Sequence, residues 1–268
     1  MNMFFKDKIF SIVSKISKGR FLTYSDIALK IGKPKAQRVI ANILSKNKNP
    51  KIPCHRVILK SGEVGGYFGN KDLDYKKAAR LLAEGAIGVI PTDTIYGICA
   101  SALNKKSVKE VYKLRKRNPA KPCIILISKI EDLKKFDIKL KKWQKKILEK
   151  IWPSRISVVL PCQSSNFFYL HRGTKTLAFR LPQNRLILEI LKIGGPLIAP
   201  SANFEGKNPA KNVSEAKKYF KNQVFYLNRG ELKGEPSTII DLTSDKIKII
   251  RKGADFDKVI SIPDVDNS

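Results

Sequence analysis

The sequence predicts an α/β protein with a small helical N-terminal part and a larger part built on a twisted mixed β-sheet. Three observations lead to this prediction. The 268 residues are long for one ordinary domain and sufficient for two. The chain reads as short helices up to about residue 70, whereas strand and helix patterns alternate from about residue 72 onward. These strands lack the regular βαβ rhythm of a doubly wound fold, so a mixed sheet is expected.

The N-terminal part begins with a predicted helix over residues 3–17, whose apolar residues recur on one face. Lysines interrupt its apolar residues, which favours an amphipathic helix over a signal peptide. TYSDIALKIG then offers Thr23 or Ser25 as an N-cap and Gly32 as a stop, and a second short helix is predicted to begin at Pro34. Two helices joined by the tight IGKP turn indicate a helix-turn-helix.

The C-terminal part opens with a helix predicted over residues 72–84. Strands are predicted in AIGVIPTDTIYG, CIILIS, ISVVLPC, TLAFRLP, PLIAPSA, VFYLNRG, STIIDLT and KIKIIRKG, and helices in SVKEVYKLRKR, IEDLKKF, KLKKWQKKILEKIW, LILEILKIG and VSEAKKYF. The last residues, SIPDVDNS, are typical of a loose tail. We therefore expect a DNA-binding type of domain over 1–72, an α/β domain over 73–256 and a tail over 257–268.

Composition limits the class of protein. The hydrophobic content of 43% is that of a globular chain, and no apolar run approaches the ~18–20 residues that span a bilayer. We therefore expect a cytoplasmic protein without a membrane partner. The net charge is +30, with +11 in residues 1–72 and +19 in residues 73–268. Such a charge attracts polyanions. A lysine-rich composition with solvated faces explains the positive charge equally well, so the charge alone does not establish that the chain binds a polyanion.

The four cysteines lie far apart and include no C-x-x-C pair. In a cytosolic chain this argues against a disulfide framework and against a structural zinc site. Cys99, Cys123 and Cys162 sit in apolar stretches and are predicted to be buried, inert thiols. Cys54 differs, because it stands between a proline and a His-Arg pair. From the tripeptide Cys54-His55-Arg56 alone, a buried cysteine beside an exposed His-Arg pair is the simpler interpretation.

The longer stretch GRFLTYSDIALKIGKPKAQRVIANILSKNKNPKIPCHRVI, followed by GGYFG, resembles the DNA-binding domain of alkylguanine-DNA alkyltransferases. The resemblance covers roughly residues 3–84. It implies a winged-helix-like domain whose helix-turn-helix lies in the minor groove while a target guanine is flipped out. The alkyl group of that guanine then passes irreversibly to the cysteine, which gives a methylated-DNA–protein-cysteine methyltransferase activity.

The resemblance implies a role for each matching residue of the reaction. Cys54 would accept the alkyl group, and His55 would draw the thiol proton through water. Glu84, which closes LLAEG, would orient His55, although the loop from Tyr67 to its helix is longer than expected. Asn47, or alternatively Asn49, would hold the loop before the cysteine.

The resemblance also implies contacts with double-stranded nucleic acid, primarily DNA and alternatively RNA. A flipped base leaves a gap in the stack, which Arg38 would fill, while Tyr24 would push the phosphate. Arg56 is expected to bind DNA as well. Alkyltransferase-like proteins that bind damaged DNA without repair carry tryptophan at the cysteine position, whereas this chain keeps the thiol. Alkyl transfer and binding without transfer both remain open.

Several stretches of the C-terminal part predict a site for a polar, anionic small molecule. IPTDTIYGICASAL has two threonines at a strand end, where small hydroxyl groups suit such a ligand. The helix that follows ends in LRKRNPAKP, whose four cations fit either the helix dipole or a phosphate. Arg180 stands on an otherwise apolar strand and needs an anionic partner. Ser201 and Asn203 directly follow another apolar strand.

Together these stretches resemble the YrdC-like family of threonylcarbamoyl-AMP synthases. The matching elements lie within about residues 74–255 and are PTDTIYG (91–97), a K-x-R element with a following KP, WP (152–153), RLP (180–182), SAN (201–203), STIID (237–241) and IRKG (250–253). By its register with Lys121 and Pro122, Arg115 matches the family's lysine, and the literal Lys113-Leu114-Arg115 fits less well. The usual W-P-G-P is WPSR here. The resemblance implies a YrdC-like α/β domain.

The implied reaction is a nucleotidyl transfer in which L-threonine, bicarbonate and ATP give L-threonylcarbamoyladenylate and pyrophosphate. ATP is then a substrate, Mg²⁺ enters with the nucleotide, and no protein side chains form a metal site. A partner transferase would move the threonylcarbamoyl group to tRNA, so the tRNA-modification machinery is an expected partner.

The reactants are anionic, so fixed cations must offset their repulsion. The resemblance implies that Arg115, Arg117 and Lys121 bind the triphosphate and bicarbonate, with Arg180 near the phosphates. It implies that threonine is bound by Thr92, Thr94 and Tyr96, and that the nucleotide and the carbamate are bound by Ser201 and Asn203. Ser237 and Arg251 complete the implied substrate site. Of these, the residues 115, 117, 201 and 203 are expected to act in catalysis.

The helix over 72–84 belongs to both resemblances, so we expect the two domains to meet there with almost no linker and to pack rigidly. Three functions follow as alternatives. The chain is a synthase fused to an alkyl-accepting domain, a synthase with a module that only binds nucleic acid, or a nucleic-acid-binding protein that has lost both chemistries.

Overall fold

The computed structural model describes residues 3–65, 71–262 and 265–266. The helices are α1 Met3–Ser14, α2 Tyr24–Lys30, α3 Gln37–Ser45, α4 Lys71–Ala83, α5 Lys105–Leu114, α6 Lys142–Ile151, α7 Phe168–His171, α8 Arg185–Gly194, α9 Val213–Phe220 and α10 Phe256–Ile260. The strands are β1 Leu22–Thr23, β2 Val57–Ile58, β3 Gly88–Pro91, β4 Tyr96–Ser101, β5 Ile124–Leu126, β6 Ile156–Pro161, β7 Thr176–Arg180, β8 Leu197–Ile198, β9 Phe225–Tyr226, β10 Thr238–Asp241, β11 Ile247–Arg251 and β12 Val265–Asp266. Short 3-10 helices cover Cys54–Arg56, Ile130–Phe136 and Ser165–Phe167.

The N-terminal part packs α1, α2 and α3 around one apolar core that includes Ile9, Ile27 and Ile40. Thr23 is the N-cap of α2: its Oγ1 accepts a hydrogen bond from Asp26 N at 3.0 Å, and its own amide donates to Asp26 Oδ2 at 2.7 Å. Strands β1 and β2 pair in parallel beside the helices. The expected helix-turn-helix is present, although its second helix begins three residues after Pro34.

The C-terminal part is a mixed sheet whose ten described strands follow the order β12-β11-β10-β6-β7-β5-β8-β4-β3-β9. Successive strand residues bury on opposite faces, as a pleated strand requires. Ile98 and Ile125 pack into the apolar core that also includes residues of α5, α6 and α9. Cys99 and Leu126 instead join the core of α4 and α8. The predicted α/β fold with a small helical N-terminal region is confirmed.

Helix α4 joins the two parts, because it packs against α8 of the sheet domain and also contacts the Cys54 turn. The α4–α8 contact is close at Gly194, where an added Cβ would lie 3.1 Å from Ala79 O. A second junction is a backbone pairing: Val64 N donates to Tyr226 O at 2.7 Å, and Tyr226 N donates to Gly62 O at 2.9 Å. The loop after β2 thereby extends the sheet beyond β9.

The C-terminal segment differs from the expected loose tail over 257–268. Residues to 260 form α10, and the buried side chains of Val259 and Ile262 belong to the sheet core. Strand β12 pairs in parallel with β11. Apolar burial therefore holds the part of this segment up to Ile262 against the sheet core. Residues 66–70, which include all of the GGYFG motif after Gly65 and the Tyr67 end of its loop, and residues 263, 264, 267 and 268 lie outside the described residues.

Within the described chain, no helix has both the length and the apolar character needed to cross a lipid bilayer.

Candidate functional site

The C-terminal part contains a cavity of about 420 Å³. Most of the residues predicted to bind substrates line it. They come from distant parts of the chain: Thr92, Thr94, Arg115, Arg117, Arg180, Ser201, Asn203, Ser237 and Arg251. Four arginines therefore share one hollow with a serine-asparagine turn, which makes the cavity strongly electropositive.

Arg115 is the C-cap residue directly after helix α5 and reaches from there to the turn at residues 201–203. Its Nε donates to Ser201 O at 2.9 Å and to Asn203 O at 3.1 Å, while Nη2 lies within 3.1 Å of Ser201 Oγ and 3.3 Å of Asn203 Oδ1. Only 3% of Arg115 is exposed. Burial, reinforced by the charge of Arg117, lowers the pKa of Arg115 to about 10, so it remains a cation at neutral pH. The arginine and the turn form one preorganised unit.

Arg180 ends β7 and is 4% exposed. Its Nη2 donates to Asp93 Oδ1 at 2.9 Å and to Thr94 Oγ1 at 3.3 Å. Burial lowers the pKa of Arg180 and raises the pKa of Asp93, while the charge of each side chain opposes the shift in the other. The anionic partner expected for Arg180 is thus Asp93, a residue that the sequence analysis did not assign. The Oγ1 atoms of Thr92 and Thr94 are 3.0 Å apart.

The remaining arginines are fixed by backbone carbonyls on other walls of the cavity. Arg117 Nη2 donates to Pro122 O at 2.7 Å. Arg251 Nη2 donates to Ser237 O at 2.7 Å, and burial lowers the pKa of Arg251. Ser237 Oγ is 2.9 Å from Ser157 Oγ. Backbone acceptors carry no net charge, so both arginines keep positive charge for a ligand.

Two predicted substrate residues are not part of the cavity wall. Tyr96 is fully buried in the core, where its hydroxyl donates to Gly230 O at 2.8 Å. Lys121 has a 63% exposed side chain, and its Nζ lies 3.0 Å from Glu205 Oε1. Tyr96 is the first residue of β4, and its side chain lies on a face of that strand that packs into the core. The side chain of Lys121 points to the carboxylate of Glu205 instead. Glu205 itself lines the cavity and was not predicted.

A second cavity, of about 690 Å³, surrounds Cys54 of the N-terminal part. Asn47 Nδ2 donates to Cys54 Sγ at 3.3 Å and to Asn49 O at 2.8 Å. Of the two asparagines considered, Asn47 is therefore the one that contacts the sulfur. Burial raises the pKa of the Cys54 thiol, although the hydrogen bond from Asn47 opposes this effect.

Glu84 binds both residues that follow the cysteine. Its Oε1 is 3.0 Å from His55 Nε2, while Arg56 Nε and Nη2 donate to its two oxygens at 2.7 and 2.8 Å. Burial would raise the pKa of Glu84, but the hydrogen bonds from Arg56 and His55 outweigh it and the pKa is lowered. Burial lowers the pKa of His55 despite Glu84. His55 is thus neutral, and able to accept a proton, at pH 7.

Two residues predicted to contact DNA are buried instead. Arg56 is held by Glu84 and by Ile16 O, so its guanidinium links the segment after α1 to the residue that directly follows α4. Tyr24 is 4% exposed and packs in the N-terminal core. Tyr24 points inward because it begins α2 on the face that completes that core, whereas Arg56 is turned inward by its pairing with Glu84. Arg38, in the first turn of α3, is exposed.

Lys77 is a site residue that the sequence analysis missed. It lines the Cys54 cavity, donates to Gly65 O at 3.3 Å, and lies 5.7 Å from the Tyr24 ring centroid. Burial lowers the pKa of Lys77 to about 7. The helical period of DLDYKKAARLLAE was the available signal, since it puts Lys77 on the same face as the buried Leu81.

Among the described residues, no group of three or more His, Cys, Asp or Glu side chains could hold a metal ion.

The arginine-lined cavity on a mixed sheet, joined to a helix-turn-helix, defines an anion-binding α/β protein with an appended nucleic-acid-binding type of module. The family model of Sua5, YciO and YrdC, described as telomere recombination, matches residues 80–253. The chain belongs to this family. Its residues 4–86 match the model of the 6-O-methylguanine DNA methyltransferase DNA-binding domain, which identifies the type of the N-terminal module.

Curated relatives support this assignment. The threonylcarbamoyl-AMP synthase of Pyrococcus abyssi is 30% identical over 68% of this chain and 56% of its own length. That of Bacillus subtilis is 32% identical over 56% of this chain and 44% of its own length. This chain thus spans about half the length of these two relatives. A putative threonylcarbamoyl-AMP synthase of Methanocaldococcus jannaschii is 31% identical over 73% of this chain and 92% of its own length.

Solved structures agree in fold. The structure of a double-alanine variant of P. abyssi Sua5 superposes with a TM-score of 0.67 at 27% identity, covering 72% of this chain and 60% of that chain. A crystal structure of P. abyssi Sua5 complexed with L-threonine gives a TM-score of 0.64 at 28% identity, covering 68% of this chain and 54% of that chain.

Proposed function

We propose that this chain is an L-threonylcarbamoyladenylate synthase, which converts L-threonine, bicarbonate and ATP into threonylcarbamoyl-AMP and pyrophosphate. The observation that carries the proposal is the convergence of four arginines and the turn at residues 201–203 on one cavity of about 420 Å³. Curated relatives named as this synthase, and a relative's crystal structure with L-threonine, support it.

The charges of the cavity suit the reactants. Triphosphate and bicarbonate are both anions, and bringing them together costs Coulomb energy that buried cations offset. Arg115 and Arg117 bind these anions, and Arg251 adds charge on another wall. Mg²⁺ carried by the triphosphate supplies further neutralisation.

The reaction needs positioning and charge neutralisation more than a covalent intermediate. The threonine amine bonds to the bicarbonate carbon and loses a proton, while the bond from that carbon to its hydroxyl group breaks and the hydroxide leaves with the proton as water. A carbamate oxygen then attacks the α-phosphorus, and the bond to the pyrophosphate oxygen breaks with its electron pair leaving on pyrophosphate. The paired hydroxyl groups of Thr92 and Thr94 hold threonine, while Ser201 and Asn203 hold the nucleotide and the forming carbamate.

Pyrophosphate release tests this function. Release should require ATP, L-threonine and bicarbonate together, and mass spectrometry should find threonylcarbamoyl-AMP in equal amount. Pyrophosphate that forms without threonine would contradict the proposal.

For the N-terminal module, near residues 1–72, we propose binding of alkylated double-stranded DNA with transfer of the alkyl group to Cys54. The specific observations are the contact of Asn47 with the sulfur and the proximity of His55 to Glu84. In the transfer, a sulfur–carbon bond forms while the bond from that carbon to guanine O6 breaks. The electron pair stays on the guanine, and the thiol proton passes to it through His55 and water.

Intact-protein mass spectrometry after incubation with a duplex containing O6-methylguanine tests the transfer. The expected result is one methyl group on wild-type protein and none on Cys54→Ser. If the duplex binds without any mass increment, the module recognises damaged nucleic acid and does not repair it. RNA duplexes in the same binding assay test the alternative ligand.

We further propose that the product of the synthase site, near residues 73–256, serves tRNA modification through a separate transferase. A mixed anhydride of carbamate and phosphate is a reactive acyl donor, so a partner that transfers the threonylcarbamoyl group must follow. Reconstitution with a candidate transferase and tRNA, scored by the modified adenosine, tests this step.

A further inference from the structure

The Cys54 pocket is built from both parts of the chain. Its described lining includes residues of the 44–55 segment, the face of α4 that carries Lys77, and Glu84 directly after that helix. It also includes Ile193, which lies near the end of α8 in the C-terminal part. A side chain of the sheet domain therefore forms one wall of the pocket that holds the thiol.

The backbone at Ile193 is held firmly even though its side chain is 44% exposed. The neighbouring Gly194 approaches Ala79 of α4 so closely that an added Cβ would lie 3.1 Å from Ala79 O. Ile190 and Leu191, in the same helical turn, are buried against the core of α4 and α8. Ile193 consequently presents a fixed apolar surface to the pocket.

The chemistry of the lining distinguishes two kinds of contact. Leu73, 42% exposed, and Ile193 are large apolar side chains of the wall. Lys48, Lys76 and Arg80 add positive charge to it. This combination suits a nucleotide whose phosphates meet the cations while its base and an attached apolar group meet the apolar wall.

We propose that Ile193 is a specificity-determining residue of the Cys54 pocket, where it contacts the apolar group carried by the substrate and sets the size that the pocket accepts. The inference rests on the proposed alkyl-accepting function in naming an alkylated purine as substrate. The wall itself exists independently of that chemistry, so the two can be tested separately.

The test compares small and large electrophiles at Cys54. Wild-type protein, Ile193→Ala and Ile193→Trp are treated with iodoacetamide and with an N-aryl iodoacetamide, and the mass increment is followed with time. The sulfur displaces iodide in both reactions, and the thiol proton goes to solvent. Cys99, Cys123 and Cys162 are buried, and a Cys54→Ala protein measures any labelling of these three.

A smaller side chain should admit the aryl reagent, so Ile193→Ala should raise the aryl-to-small rate ratio by about three- to tenfold, whereas Ile193→Trp should lower it. Leu186→Ala is the matched control, because Leu186 is an exposed apolar residue in the first turn of α8 outside the described lining. Thermal unfolding checks that each variant folds. Ratios within about twofold of wild type for both Ile193 variants would overturn the inference.

A second arm uses duplexes with O6-methylguanine and O6-benzylguanine on the same variants. The preference for benzyl over methyl transfer should follow the ratios from the iodoacetamides. If wild-type protein takes no alkyl group from either duplex, the proposed transfer fails while the reagent ratios still decide the role of Ile193. If transfer occurs with unchanged preference in both variants, the role of Ile193 fails and the transfer stands.

Discussion

The arginine cavity and the Cys54 pocket are organised in opposite ways. In the arginine cavity, Arg115 and Arg180 are almost fully buried, and each is fixed by hydrogen bonds to a turn far away in sequence. In the Cys54 pocket, the cysteine, His55 and Glu84 are partly exposed and come from two nearby segments. The arginine cavity has permanent positive charges that can bind anions. In the second site the Cys54 thiol and the His55 imidazole are neutral and must become charged during a reaction, while Glu84 beside them is ionised, which fits proton transfer to a neutral base.

The largest expected effect is at Arg115. Arg115→Ala removes a buried cation and, with it, the hydrogen bonds that support the turn at 201–203. The kcat/KM for the formation of threonylcarbamoyl-AMP should therefore fall by about 100-fold or more. Lys113→Ala is the matched control, because Lys113 is an exposed cation two residues away and should stay within about twofold of wild type. The pyrophosphate assay measures both. A larger loss at Lys113 would support the literal K-x-R register instead.

Glu84 should matter next. Glu84→Gln keeps the shape but weakens the hold on His55, so alkyl transfer to Cys54 should slow by about tenfold. Because burial lowers the pKa of His55, wild-type transfer should be constant near pH 7 and decline only as the pH falls below the ordinary histidine value of 6.5. Single-turnover transfer between pH 5 and 8 measures both effects. A decline that begins above pH 7 would show that His55 is not the base.

Lys77 of the Cys54 pocket differs from the buried arginines of the arginine cavity, because it is a buried cation that can lose its charge. Its pKa is about 7 in the folded protein, against an ordinary value of 10.5, so the unfolded chain holds the proton more tightly. The cost of burying this charge is therefore full below pH 7 and fades as the pH rises toward 10.5. Lys77→Met should stabilise the protein by about 1 kcal/mol at pH 6 and less at pH 9.

Urea unfolding at the two pH values measures this difference, with Lys76→Met as the control because Lys76 is exposed on the same helix. An equal effect of Lys77→Met at pH 6 and pH 9 would contradict the titration of Lys77.

The smallest expected effect concerns the ion pair across the junction. Lys217 Nζ lies 2.7 Å from Glu63 Oε1, and both side chains are partly exposed. Because water screens such pairs, Glu63→Gln should cost no more than about 1 kcal/mol of unfolding free energy. A double-mutant cycle with Lys217→Met isolates the pair. A coupling of several kcal/mol would mean that charge, rather than backbone pairing and helix packing, joins the two parts.

Sequence reasoning succeeded where a motif fixes its own geometry. Ser201 and Asn203 sit in one turn, and Cys54 and His55 in another, so their neighbourhoods follow from local sequence. It failed where the direction of a side chain depends on packing. Tyr96 begins a strand and turns toward the core.

Long-range pairing was equally hidden from the sequence. Asp93 and Arg180 are paired although they are 87 residues apart in sequence, and the sequence around either residue does not indicate its partner. Lys76 and Lys77 are chemically identical neighbours, and only the packing of α4 makes the second a buried member of the pocket. The α/β class and the helix-turn-helix were predictable because they rest on periodicity and capping, which local sequence does contain.

The hydrogen bonds between the segment at 62–64 and Tyr226 have a consequence for solubility. Strand β9 ends the sheet order, and a bare terminal strand offers its amides and carbonyls to any other extended chain. The N-terminal module occupies those groups at Tyr226 and so shields the rim of the sheet from self-association. Besides any chemistry of its own, the module thereby leaves fewer unpaired backbone groups on β9 with which another extended chain could pair.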